Sequence, residues 1–423
     1  MSENQTAGSP KRRNRCVAGV ALVAATVFGL TACTPSGSDE GSASAVTVGA
    51  VQDLSGGLEI YGQQQLDASK LAIAAINAAG GAAGSELNLS DKNTQSQDAL
   101  NVQYTRDLIQ SEKAPVVVGA LTSSAREAMR PLFASGQSLY FYPALYEGGV
   151  CDANTVITGP SASQQIQPLI DYSLKNLGTK YYIVAPDYNF GSISTTWFET
   201  YITAGGGEVV GSELVPLDVS NYSSTISKIQ AAKPDVIVWL PVGAAQSGFA
   251  AQFAAAGLKD QMTLISTNYG SGNQQLAVSA EAGEGIIAAL DYVPGIDNQA
   301  NTDFKAAWDT EFGKGANEIH ESGANTWIAW KLWSEAANKA GSTEPAKVLE
   351  ALQSGMTIDS PAGQVTFDPK TNHLIRPMYI VQQNSTQGFD ILETVDAVVP
   401  EYEQSVCDLM SESTTNQQFV PEG

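Results

Sequence analysis

Histidine, cysteine and positive charge are all scarce in this chain of 423 residues. The two histidines, His320 and His373, lie far apart, no His-Glu-x-x-His motif occurs, and no two cysteines have zinc-ligand spacing. This argues against metal catalysis. Also missing are a nucleophile elbow flanked by glycine, a phosphate-cradling loop ending in Lys-Ser or Lys-Thr, and a properly spaced dinucleotide fingerprint. Gly80-Gly81 with Gly84 follows a predicted helix rather than a strand, so it reads as a helix stop and turn. Lys and Arg number 22 against 44 Asp and Glu, a net charge of −22. Phosphate binding needs clustered cations, so nucleic acid is not expected as a partner, and no cofactor or metal is expected either. Acid/base catalysis by a carboxylate pair is the enzymatic route that composition leaves open.

Long apolar runs are missing too. Val17 to Leu30 is nearly unbroken, yet shorter than the ~20 residues that span a bilayer. It follows the basic group Lys11, Arg12, Arg13 and Arg15, and this order of basic then apolar segments is that of an export signal. Leu30-Thr31-Ala32-Cys33, small residues followed at once by cysteine, resembles the bacterial lipoprotein cleavage box. The resemblance implies that residues 1–32 are removed and that Cys33 is lipidated at the outer face of the cell membrane. The removed segment carries those four cations and Glu3, so the mature chain would hold a net charge of about −25. Residues 33–45, rich in Gly, Ser and acidic groups, read as a flexible tether. Cys151 and Cys407 are then the two remaining cysteines, one disulfide or two thiols.

What the chain has in quantity is core material: 43% of it is hydrophobic and 16% charged, enough for two or three domains. Short apolar strands alternate with helices. Strands are expected at Val46 to Gln52, Glu86 to Asp91, Pro115 to Ala120 and Ser138 to Tyr142, with helices at about Tyr61 to Ala79, Ala99 to Gln110 and Ser123 to Ala134. The rhythm restarts at Gln164 and runs through strands at Tyr181 to Ala185, Glu208 to Val215, Asp235 to Leu240 and Met262 to Ser266. This predicts an α/β fold of two doubly wound parallel-sheet lobes of similar size. Thr302 to Phe312 and Ser322 to Ala340 are consecutive helices, and Trp327, Trp330 and Trp333 form a stripe that reads as core. Strands return at Gln364 to Phe367 and Pro377 to Val381, so the chain crosses between lobes repeatedly, as in a three-segment hinge. The expected division is lobe 1 at 46–160 plus 291–358, lobe 2 at 161–290 plus 359–400, and a tail at 401–423.

In open α/β sheets ligands bind beyond the carboxyl ends of strands. Three such places carry suitable side chains: Leu121-Thr122-Ser123-Ser124, Tyr142-Pro143-Ala144, and Asp187-Tyr188-Asn189-Phe190. The first also reads as a simple helix N-cap.

At these positions the chain resembles the type I periplasmic binding proteins of ABC importers, over Val46 to Val395. The resemblance rests on Leu54-Ser55-Gly56, Ala75-Ile76-Asn77 with Gly80-Gly81, and Ala231-Ala232-Lys233-Pro234-Asp235. Tyr142-Pro143 with Tyr146-Glu147-Gly148, Thr158-Gly159 with Gln164-Gln165-Ile166, Asp187-Tyr188, and Asp368-Pro369 with Asn372-His373-Leu374 look like its urea- and short-amide-binding branch. The resemblance implies a non-enzymatic receptor that closes like a clamshell on a small neutral ligand and delivers it to permease and ATPase subunits. It implies a site made of Leu121, Thr122, Ser123, Tyr142, Pro143, Ala144, Tyr188, Phe190 and Gly243, with a hydroxyl or backbone contact at Ser123. Leu121 stands where that branch usually has an aromatic ring, and Phe190 lacks a tyrosine hydroxyl, which points to a larger or more apolar amide than urea. The alternatives are a branched-chain amino-acid receptor of an importer and, from another class, a surface amide hydrolase.

Overall fold

The structure is a computed structural model that describes residues 45–314 and 318–421. The export signal, Cys33 and most of the tether lie outside those residues. The chain opens with strand β1 (Val46–Gln52), helix α1 (Glu59–Ala78), β2 (Leu87–Asn93), α2 (Asp98–Gln110), β3 (Val116–Gly119), α3 (Ser123–Met129), β4 (Leu139–Tyr142), β5 (Val150–Asp152) and β6 (Thr155–Ile157). Five of these strands form a parallel sheet in the order β2-β1-β3-β4-β6. The apolar runs of β3 and β4 are wholly buried, whereas edge strand β2 is mostly part-exposed. Continuous burial is what helices on both faces of a parallel sheet impose.

The second lobe repeats the plan. It runs through α4 (Ala162–Asn176), β7 (Lys180–Pro186), α5 (Asn189–Ala204), β8 (Glu208–Val215), α6 (Ser223–Ala232), β9 (Val236–Trp239), α7 (Ala244–Ala255), β10 (Thr263–Ser266), α8 (Ala280–Gly283) and β11 (Ile287–Leu290). The order β8-β7-β9-β10-β11 matches that of the first sheet, so each lobe has its switch point beside its own first strand.

Helices α9 (Gln299–Phe312), α10 (Glu321–Ala340) and α11 (Pro345–Leu352) follow. Of the tryptophan stripe on α10, Trp330 and Trp333 are fully buried, and Trp327 packs part-buried against the same core. Trp330 Nε1 donates to Ser69 Oγ on α1 at 2.9 Å, pinning the long helix to the first lobe.

The parallel-sheet lobes are as expected, but the expectation of two sheets of similar size needs correcting. Strands β12 (Thr357–Ser360), β13 (Gly363–Asp368), β14 (His373–Gln383) and β15 (Phe389–Val398) extend the second sheet to nine strands through antiparallel pairings, β14 lying against β11. Most of β15 is exposed, so it lacks the apolar run that marks the inner strands. Before the tail, the chain passes between the lobes at 158–161, 291–298 and 353–356.

The tail is tied down rather than loose. Helix α12 (Glu401–Val406) and strand β16 (Asn416–Gln418) run back to the first lobe, where β16 pairs antiparallel with β5. Cys151 and Cys407 are disulfide-bonded in the structure, with Cα atoms 5.5 Å apart. The buried Glu403 carboxylate accepts from the Gly149 N–H at 2.9 Å and from the Ser161 and Ser163 hydroxyls at 3.1 Å each.

Candidate functional site

Six loops at carboxyl ends of strands converge on one cavity between the sheets. From the first lobe come Tyr61, in the first turn of α1 after β1, then Leu121, Thr122 and Ser123 after β3, and Pro143, Ala144 and Leu145 after β4. The second lobe supplies Tyr188 and Phe190 after β7, Val242 after β9, and Asn268 and Ser271 after β10. Glu321 and Ser322, at the start of α10, complete the wall. The cavity volume is ≈ 40 Å³. Thr122, Tyr188 and Val242 also line an outer chamber of ≈ 880 Å³, so these three side chains stand between the inner cavity and the cleft mouth.

Glycines let the loops approach. A Cβ on Gly119, where φ is +133°, would sit 2.0 Å from the Val51 carbonyl oxygen, and one on Gly191 would sit 1.8 Å from that of Pro186. Any side chain there would push β3 from β1 or α5 from β7, and so displace residues 121–123 or 188–190.

Most polar groups of the wall are already committed. Thr122 caps α3, accepting from the Ala125 N–H at 3.2 Å. Ser123 Oγ donates to Glu147, which also accepts from Arg126 Nη2 and from Gln418 Nε2, each at 2.6 Å. The Ser123 hydroxyl therefore points into a buried ionic knot, and only its backbone is left for a ligand. Asn268 Oδ1 accepts from Gln246 Nε2 at 2.8 Å, and its Nδ2 donates to the Leu240 and Pro241 carbonyls at 3.1 Å. The Tyr61 hydroxyl accepts from Gln274 Nε2 and from the Gly243 N–H, and burial pushes its pKa up to about 12.

Three polar groups differ. Ser322 Oγ is buried with no partner among the described residues, in a residue only 4% exposed. Among the described residues none partners the Tyr188 hydroxyl, whose pKa burial holds well above the ordinary phenol value. Glu321, 1% exposed, accepts from the Asp291 N–H at 3.3 Å. Asp291 itself meets Arg376 Nη2 at 2.6 Å and Asn325 Nδ2 at 2.8 Å. One guanidinium thus serves two buried carboxyls, and it is turned toward Asp291. Burial, reinforced by the Asp291 charge, raises the Glu321 pKa well above the ordinary carboxyl range, so Glu321 keeps its proton. Among the described residues no Lys or Arg lines the cavity.

Of the nine residues named from sequence, Leu121, Thr122, Ser123, Pro143, Ala144, Tyr188 and Phe190 face the cavity. Two do not. Tyr142 lies behind the wall, its hydroxyl donating to the Leu121 carbonyl at 2.5 Å and its ring beneath the Arg126 guanidinium at 5.2 Å. Gly243 is set back, its N–H bonded to Tyr61, and it caps the start of α7. Sequence reasoning missed Tyr61, Leu145, Val242, Asn268, Ser271, Glu321 and Ser322. The strand-end rule, applied also to β1 and β10, reaches Tyr61, Asn268 and Ser271.

A family profile described as "Periplasmic binding protein" matches residues 45–388. The chain belongs to that family. Its architecture is that of the type I periplasmic binding proteins, α/β with parallel-sheet lobes about a ligand cleft. A Leu/Ile/Val-binding protein of Rhizobium johnstonii is 25% identical over 76% of this chain and 87% of its own length. A Leu/Ile/Val-binding protein homologue of Brucella melitensis is 23% identical over 79% and 90%. Among solved structures, an ABC-transporter solute-binding protein of Rhodopseudomonas palustris in complex with 3,4-dihydroxybenzoic acid superposes with a TM-score of 0.76. The two share 24% identity over 85% of this chain and 99% of that one. A leucine-binding protein of Thermotoga maritima gives 0.74 at 16% identity, covering 83% and 99%.

Proposed function

We propose that this periplasmic binding protein is the lipid-anchored, extracytoplasmic receptor of an ABC importer, and that it captures a small uncharged amide, urea or a short-chain amide. The carrying observation is the charge of the wall: no Lys or Arg among the described residues, and one carboxyl that keeps its proton. A carboxylate ligand normally recruits a cation or several backbone donors. A neutral amide needs neither, and the apolar side chains of Leu121, Pro143, Leu145, Phe190 and Val242 suit an alkyl substituent. Lobe 1 (46–160 plus 291–358) and lobe 2 (161–290 plus 359–400) close about the three crossings to seal the ligand behind Thr122, Tyr188 and Val242. Urea itself, with four heavy atoms at no more than about −1.5 kcal/mol each, would bind no tighter than tens of micromolar. A larger amide would gain from the apolar wall.

A branched-chain amino acid is the second reading, favoured by the Leu/Ile/Val-binding relatives, and it requires Glu321 to give up its proton beside the bound ammonium group. Isothermal titration with urea, acetamide, butyramide, leucine and benzoate separates the two. Heat from amides with leucine silent supports the first reading, and heat from leucine alone overturns it. An ammonia-release assay on butyramide tests the hydrolase alternative, with no turnover expected. For the anchor, palmitate labelling should be lost, and the protein shed from cells, on Cys33→Ser.

A further inference from the structure

We propose that the amino end of α10 is a ligand-anchoring subsite in which Ser322 and Glu321 together select a carboxamide head group. This rests on the amide reading above and names the residues that would enforce it. Neither residue follows a strand, so they lie outside the strand-end loops through which the resemblance identified the site. Three observations converge on them. Ser322 lines the cavity, its Oγ is buried and has no partner among the described residues, and a hydroxyl left so in a native interior is costly unless a ligand meets it. Helix α10 is 20 residues long, and its amino end directs partial positive charge toward an acceptor held there. Glu321 stands beside Ser322 on the same wall, and its neighbour Asp291 already occupies Arg376.

The chemistry that fits is a neutral group with one acceptor and one or more donors side by side. The carbonyl oxygen of a carboxamide accepts from the Ser322 hydroxyl, while its N–H donates to a Glu321 oxygen. A carboxylate would satisfy Ser322 but bring a second negative charge close to that of Asp291, whose partner Arg376 is already engaged. An alkylammonium would satisfy Glu321 but leave Ser322 without an acceptor. Head-group choice therefore belongs to α10, and the strand-end loops enclose the alkyl part.

The test is titration calorimetry of the full mature protein with butyramide, butyrate and butylamine, three ligands alike in chain and different in head group. Leucine and benzoate are included as controls on the reading itself. Wild type should prefer butyramide. Ser322→Ala should weaken butyramide about tenfold. Glu321→Gln, whose side chain still donates and accepts but cannot ionise, should hold butyramide within about threefold and gain at least about tenfold for butyrate, because no carboxyl is left there to ionise beside the bound anion. That change of preference is one a merely structural residue would not produce. Thermal melts confirm folding, and Ser322→Cys replaces Ser322→Ala should the latter not fold. If butyramide binds wild type and both variants alike, and butyrate is unchanged, the subsite is overturned while the amide reading stands. If wild type takes leucine or benzoate instead, the amide reading fails. The subsite then stands only if the same variants shift that ligand's affinity at least about fivefold, and falls if they do not. Binding of no ligand in the panel overturns both.

Discussion

The two lobes repeat one strand order but hold their site loops by opposite means. In the first lobe the loops after β3 and β4 are locked by ions: Glu147 gathers Ser123, Arg126 and, from the tail, Gln418, and Arg126 lies over the rings of Tyr142 and Tyr146. In the second lobe the loops after β9 and β10 are held by neutral amides and hydroxyls, with Asn268 bonded to Gln246, Ser266 and two carbonyls. A buried ion pair is costly to break because the surviving charge is stranded, whereas a neutral network fails bond by bond. The first lobe is therefore the rigid half of the site, and the second can adjust its grip.

This contrast can be broken by experiment. Glu147→Ala leaves the buried Arg126 only its pair with the part-exposed Glu127, takes the acceptor from Ser123 and Gln418, and should cost about 3–5 kcal/mol in guanidinium chloride unfolding, urea being avoided because it is a candidate ligand. Replacing both Cys151 and Cys407 by serine should cost about 2–5 kcal/mol by freeing the tail from the first lobe. Next comes acid. Burial lowers the His320 pKa from 6.5 to about 3, so the folded protein keeps this ring neutral while the unfolded chain takes up a proton. Its stabilising contribution is whole above pH 6.5 and declines as pH falls toward 3, by about 1.4 kcal/mol per unit, and His320→Gln should flatten that acid limb. Asn268→Ala should lose about 1–3 kcal/mol, less than Glu147→Ala, and equal losses would dissolve the contrast between lobes. Smallest is Tyr188→Phe, expected to shift stability by no more than about 0.5 kcal/mol, with its effect confined to ligand affinity in calorimetry.

The inner strands of both sheets were legible because burial on two faces writes an unbroken apolar run, as in Val116–Gly119 and Val236–Trp239. Exposed β15 and the very short β5, β6 and β16 carry no such run, so β15 and the tied tail went unseen, whereas β13 and the middle of β14 were expected as strands without their antiparallel pairing. At the site, residues 121–123, 143–144, 188 and 190 were legible because strand ends predict where loops converge. Tyr142 misled because its place in a strand-end motif does not say which way its ring faces, and here it turns toward Arg126. Glu321 and Ser322 follow no strand. What marks them is a missing partner and a crowded charge, properties that exist only once α10 has packed against both sheets.

The bond between Cys151 and Cys407 spans 256 positions of the sequence. All of β7 to β15, the entire second lobe included, lies inside the covalent ring that it closes. One proteolytic cut at any point within that ring releases nothing. Both pieces stay joined, and a nicked receptor still has its two halves held together to bind with.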